Sequence, residues 1–297
     1  MKITIINPSG PQRFKGLSSH LKVLEPFGTV TTHFAPPLDK SDWPYTAAPA
    51  SVRARLLEES LLGDSDILMA VRGGYGCQEL LPLLDWSKLR ASRRKLLVGF
   101  SDISALSAAF WSQLGWPSLH GPMPGTAQWA DCYGVYSGIL TAFSKAACQN
   151  VVVPVRHHTG SQEALSGPLF GGCFSVLSQL IGTKWFPSLS SSILYLEDIG
   201  EHPARLMRYW EQWRQSGVLD GVLAIVVGDL VGCGREEEDG IGREEVLQEW
   251  SRRVEVPFYS SMAFGHGKEN TLLGFGYKGQ ISPSGLCWEF NGDLSDG

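Results

Sequence analysis

Residues 66–76 read DILMAVRGGYG, and residues 96–104 read LLVGFSDIS. Each opens with a short apolar run, as in a strand buried on both faces, and breaks off in turn formers. Helical spacing stands before the first at Val52–Leu62 and after the second at Ser101–Leu114. Upstream, Ile3–Asn7 has the same strand-like pattern, Arg13–Glu25 can be a helix, and Thr29–Phe34 reads as another strand. Such alternation predicts an α/β fold with a parallel sheet covered by helices, of the flavodoxin or Rossmann-like kind. Loops beyond the carboxyl ends of the strands collect functional groups in open sheets, which places RGGYG and SDIS on one edge.

From Asn150 to Gly167 the chain turns polar and loses its apolar period, as a linker does. The expected organisation is an N-terminal α/β domain over residues 1–149, a linker over 150–167 and a C-terminal domain over 168–297. The second half opens with LSGPLFGGCFSVLSQLIGT (residues 165–183), read as a Gly-rich loop entering a helix. Strands at Ser192–Glu197 and Val222–Gly228 flank a helix at Ala204–Gln215. A solvated acidic loop, Glu236–Asp239, leads to a helix at Arg243–Arg253, and short strands fill the remainder. The C-terminal domain is thus expected to be mixed and mainly β, with an active site where the domains meet.

The chain has 297 residues, 43% hydrophobic and 19% charged, which excludes a disordered polymer. A formal charge of −5 argues against nucleic-acid or anionic-membrane partners. No run reaches the roughly 18–20 apolar residues of a membrane span. The opening MKITIINPSGPQ reads as a strand entering a loop rather than a signal peptide, so the cytoplasm is the expected location. Six cysteines are scattered without a C-x-x-C pair, the pattern of reduced thiols rather than of a metal site. No cofactor or metal is expected.

Ser101 stands where a buried strand meets a helix. At such a turn a hydroxyl projects above the sheet edge, and the next N–H, that of Asp102, points into the same space. Helix capping by Ser101 or Asp102 is the ordinary alternative. The trailing Gly of G-x-S-x-G is replaced by Ile103-Ser104, so a standard α/β-hydrolase elbow is not indicated. Gly73 and Gly74 permit close approach of a ligand and could complete an oxyanion hole, and Arg72 could pair with a carboxylate. A tight turn with a surface arginine fits the same letters. Neither G-x-G-x-x-G nor G-x-x-x-x-G-K-[ST] occurs, which leaves nucleotide binding by those loops unsupported. A nucleophilic serine needs a base. Of seven histidines, His120 in HGPM and His266 in FGHG are the accessible candidates. Glu197 leaves the end of the strand SILYLE; Asp198 and Glu201 could replace it, or the cluster could cap the next helix.

Together RGGYG, GFSDIS, HGPM, GPLFGGCFSVLSQLIGT, LYLEDIGEHPARLMR and FGHG resemble, in order and spacing, the LD-carboxypeptidase family of serine peptidases. That family includes muramoyltetrapeptide carboxypeptidases and microcin C immunity peptidases. The resemblance runs from Pro8 to FGHG and implies Ser101 as nucleophile, Glu197 as acid and His266 as base. The loop residues themselves suggest an oxyanion hole from the N–H groups of Asp102 and a glycine of Gly73–Gly74, Gly74 foremost, with substrate contacts from Arg72, Gly73 and Tyr75, although Tyr75 could instead pack over the glycine turn. Cys173 stands where the family commonly has Asn, which removes a polar contact in the cleft.

The expected reaction is release of terminal D-alanine from a murein tetrapeptide in the cytoplasm, without a cofactor. Arg208 is a second candidate for the substrate carboxylate. The expected partner is a small peptide, and the family's frequent dimers make a homodimer compatible with the sequence. A microcin-type immunity peptidase, with Trp185 or Trp210 stacking a base, is the first alternative. A non-enzymatic peptide- or sugar-binding module is the second.

Overall fold

The apolar runs of the first half form the interior of a sheet. The structure, a computed structural model, describes residues 1–36, 43–132, 136, 138–141, 148–235, 237 and 240–290. In the first half the strands are β1 (Lys2–Ile6), β2 (Thr29–His33), β3 (Ile67–Ala70), β4 (Leu96–Val98) and β5 (Ser118–His120). All four residues of β3 are buried, as strands covered on both faces require. The second half supplies β6 (Gln149–Val153), β7 (Arg156–Thr159), β8 (Leu165–Cys173), β9 (Ile193–Ile199) and β10 (Ala224–Val231). It continues with β11 (Phe258–Ser260), β12 (Leu273–Phe275), β13 (Lys278–Ser282) and β14 (Gly285–Phe290).

These strands make two sheets, ordered β12-β5-β4-β3-β1-β2 and β6-β14-β13-β8-β9-β10-β11-β7. From β5 to β2 the first sheet is parallel throughout, as the strand–helix alternation predicts. The second has a parallel centre, β8-β9-β10-β11, flanked by antiparallel strands. The fold is therefore mixed α/β, with a parallel first half and a mixed second one.

Four expectations change. The polar stretch 150–167 is not a linker: β6 and β7 lie within it, and β8 begins at Leu165. These are outer strands of the second sheet in which only Val153 is buried, so their apolar period is weak. GPLFGG is not a loop but part of β8, followed by the short helix Phe174–Ser178. Its glycines fit tight packing: a Cβ on Gly171 would lie 1.7 Å from the Tyr195 carbonyl, and one on Gly172 would lie 2.4 Å from Ser104 Oγ. The helix expected over Arg13–Glu25 shortens to Leu17–Lys22, with a 3-10 turn at Glu25–Phe27 around Pro26. Finally, the division at 149/168 is crossed by β12, which pairs antiparallel with β5 and closes the edge of the first sheet. Of the acidic run 236–239 only Glu237 falls among the described residues.

One apolar cluster passes from Ile103, Leu106 and Phe110 of the first half to Phe170, Phe174 and Trp210 of the second. The surface between the halves is therefore a packed core, which suits a site that needs side chains from both.

Candidate active site

Phe100 ends the extended segment after β4, and Ser101 turns with φ +62°. A left-handed serine costs roughly 1–3 kcal/mol, and such strain persists only where neighbours enforce it. The glycine loop is one enforcer. A Cβ on Gly73 would stand 2.7 Å from Ser101 Cβ and 2.9 Å from its Oγ, so the loop lies directly against the serine. Asp102 is another: its buried carboxylate accepts from Ser9 Oγ at 2.6 Å and from the Cys77 N–H at 2.9 Å. It therefore ties the first loop of the chain and the end of RGGYG to the serine turn. Neither Ser101 nor Asp102 caps the following helix with its side chain, so the capping alternative fails.

The second half contributes a preassembled pair. Glu197 is fully buried on β9, and its Oε2 accepts from His266 Nδ1 at 2.6 Å. Burial alone would raise the Glu197 carboxyl, but the charge and hydrogen bond of His266 hold it below its ordinary value. Burial pulls the His266 imidazole down, and the Glu197 carboxylate outweighs that effect and raises it. Donation through Nδ1 leaves Nε2 free for proton transfer. The His266 ring lies 4.7 Å, centroid to centroid, from the Phe100 ring, the residue preceding Ser101. Ser101 itself reaches the pair through this neighbour; among the described residues no hydrogen bond joins its hydroxyl to His266.

The competing acids separate by the alternation of a strand. Asp198 turns away from Glu197 and accepts from the Ser175 N–H at 2.7 Å and Ser175 Oγ at 3.0 Å. Burial and the nearby Glu197 push its carboxyl up to about 6. Glu201 pairs with Arg205 at 3.0 Å. Neither acid caps the helix Pro203–Gln215; His202 Nδ1 does, accepting the Ala204 N–H at 3.1 Å.

Arg72 is half-buried and donates to the Pro11 carbonyl at 3.2 Å. It is paired with no carboxylate among the described residues, and burial lowers its guanidinium from the ordinary value. Arg208 is exposed on its helix. Tyr75 is 51% exposed at the rim of a cleft of about 500 Å³ that Gly74, Asp102, Ser175, Val176 and Tyr209 also line. Trp210 is fully buried and stacked on Trp250 at 4.7 Å, and Trp185 is buried too, so both belong to the core. Cys173 is buried, with Sγ 3.5 Å from Asp198 Oδ1.

One organising residue gave no sequence signal. Arg53, fully buried, donates to the carbonyls of Ala48, Pro8 and Gly76 and pairs with Glu79. It thereby holds three separate loops around the glycine turn. Among the described residues no three His, Cys, Asp or Glu side chains are grouped to hold a metal ion. No described helix is long and apolar enough to cross a membrane.

Residues 3–121 match the LD-carboxypeptidase N-terminal domain, and residues 166–281 match its C-terminal domain. The chain belongs to the LD-carboxypeptidase family. It is thus a serine-type LD-carboxypeptidase, as its resemblance to that family implies. It is 30% identical over 295 residues to the murein tetrapeptide carboxypeptidase of Pseudomonas aeruginosa, covering 97% of this chain and 95% of that one. The crystal structure of muramoyltetrapeptide carboxypeptidase from Oxalobacter formigenes superimposes with a TM-score of 0.81 at 27% identity, over 97% of this chain and 98% of that one. The microcin C7 self-immunity protein MccF, solved in complex with glutamyl sulfamoyl guanosine, has a TM-score of 0.81 at 20% identity, over 97% of this chain and 95% of that one. That last likeness concerns the fold.

Proposed function

We propose that this enzyme releases the terminal D-alanine of a murein tetrapeptide by acyl transfer through Ser101, His266 and Glu197. The observation that carries the reading is the part-buried Glu197–His266 hydrogen bond of 2.6 Å, set against the residue next to a strained serine. In this mechanism His266 Nε2 takes the Ser101 proton as Oγ attacks the peptide carbonyl, then returns it to the departing amine of D-alanine. Water attacks the acyl-enzyme in the second half, with His266 again moving the proton. Glu197 keeps the imidazole in the Nδ1–H tautomer and stabilises its cation.

The negative oxygen would be held by the N–H groups of Asp102 and Gly74. The Gly74 N–H has no acceptor among the described residues, which leaves it available to substrate. Arg72 would bind the substrate's terminal carboxylate, a role suited to a guanidinium whose one partner among the described residues is the Pro11 carbonyl. Gly73 lets the peptide approach the serine, and Tyr75 borders the cleft. The murein substrate is favoured over a microcin-type one by the 30% identity with the tetrapeptide enzyme, and by the burial of Trp185 and Trp210. In this reading the enzyme acts on murein fragments in the cytoplasm. The test is a fluorophosphonate probe together with D-alanine release from murein tetrapeptide. Wild type should be labelled and active, and Ser101→Ala neither; labelling or turnover that survives the substitution rejects the reading.

A further inference from the structure

Glu197 has a second carboxylate oxygen, and its surroundings are unusual. Oε2 is taken by His266, whereas Oε1 is buried without a hydrogen-bond partner. The polar atom facing it is His120 Nε2, 3.9 Å away, which is equally buried and equally unpartnered. The two atoms come from different sheets: His120 ends β5 of the first, and Glu197 lies on β9 of the second.

An unpartnered buried carboxylate oxygen and an unpartnered buried ring nitrogen are each costly, and they are about 1 Å beyond hydrogen-bond length. Catalytic hydrogen bonds that are long without ligand commonly tighten in the loaded enzyme. We infer that His120 is a positioning residue, donating its Nε2–H to Glu197 Oε1 in the substrate-loaded site and so fixing the carboxylate that orients His266. This rests on the Ser101–His266–Glu197 reading and extends it to a His–Glu–His chain that crosses the two halves of the molecule.

The setting of His120 fits the role. Its ring is held edge-on between Phe100, at 5.7 Å, and Tyr195, at 5.5 Å, leaving little freedom to rotate. Phe100 also touches His266, so one side chain sets both imidazoles relative to the serine turn. A neutral donor is what the position needs. A second imidazolium would compete with His266 for the carboxylate's charge, whereas burial pushes His120 down to about 4 and keeps it uncharged at neutral pH. The other titratable groups coupled to this cluster are Tyr195, Asp198, Asp229, Cys173 and Cys233.

Sharing the carboxylate's charge with His120 makes it a weaker base toward His266. Losing that donor should therefore raise the His266 pKa in the substrate complex and move the acid limb of kcat, which reports that complex, to higher pH. His120→Leu removes the donor, and His120→Gln places an amide N–H near Nε2. For murein tetrapeptide hydrolysis, His120→Leu should lower kcat about tenfold with KM little changed and shift the limb upward. His120→Gln should recover most of kcat and the wild-type limb. With murein tetrapeptide bound to the Ser101→Ala protein, the Nδ1–H proton resonance of His266 should move when His120→Leu is added and return when His120→Gln is added instead.

The inference is overturned if His120→Leu keeps wild-type kcat and limb. It is equally overturned if both variants lose activity alike while the limb and the His266 resonance stay in place, since packing alone would then account for the loss. Ser101→Ala, assayed in parallel, separates the two claims. An inactive Ser101→Ala beside a fully active His120→Leu rejects the role of His120 and leaves the triad standing. An active Ser101→Ala rejects the triad itself.

Discussion

The two halves of the molecule prepare their share of the site in opposite ways. The second half delivers Glu197, fully screened from solvent, already joined to His266 at 2.6 Å. The first sheet delivers Ser101 on a strained turn, its hydroxyl bonded to neither. Acid and base need a fixed tautomer at all times, so they are wired in advance. The nucleophile needs only to meet a carbonyl, and strain aims it while leaving the last approach to substrate. The contrast teaches that electrostatic preparation and geometric preparation can be assigned to separate lobes.

Breaking the wired half should have the larger effect. Glu197→Gln keeps the shape but unfixes the tautomer, and kcat for D-alanine release should fall about 10⁴-fold, as for the acid of other Ser–His–acid triads. A fall below tenfold would mean that the pair does not carry the proton transfer. On the aimed half, Gly73→Ala inserts a methyl 2.7 Å from Ser101 Cβ, and kcat/KM should drop about 10²-fold with the fold intact by circular dichroism. An unchanged rate there would show that the serine turn tolerates displacement.

The strain itself is measurable. Ser101→Gly and Ser101→Ala should both be inactive, but glycine occupies φ +62° freely, so denaturant unfolding should find it about 1 kcal/mol more stable than alanine. The reverse order would remove strain from the comparison. The smallest effect is in the pH profile. The base must be neutral, so kcat/KM is lost as pH falls through the His266 pKa. Because Glu197 raises that value above 6.5, the acid limb should have its midpoint on the alkaline side of 6.5. A midpoint on the acid side would mean that the carboxylate does not govern the imidazole.

Much of this frame was legible in local sequence. Buried parallel strands announce themselves by unbroken apolar runs, and so β3, β4, β9 and β10 lie close to their expected places. The turn at Ser101 is an equally local signal, whereas Glu197, expected to end its strand, lies inside β9, which runs on to Ile199. Four kinds of feature were not legible. Gly171 and Gly172 are chosen by what presses on them, Tyr195 and Ser104, and on paper they look like a loop. The strands β6 and β7 lie at the edges of the second sheet with only Val153 buried, and their letters read as a linker. Arg53 and the Ser9–Asp102 bond join segments far apart along the chain, and no window of sequence contains them. The choice of Glu197 over Asp198 likewise depended on which face of β9 meets His266.

The strand Leu273–Phe275 has a consequence for dissecting the protein. Residues from near the C-terminus act as a suture along the raw edge of the opposite lobe. A fragment cut at residue 149 would lose that stitch and bare β5 to self-association, whereas a split protein should reassemble only when the second piece carries this short ribbon.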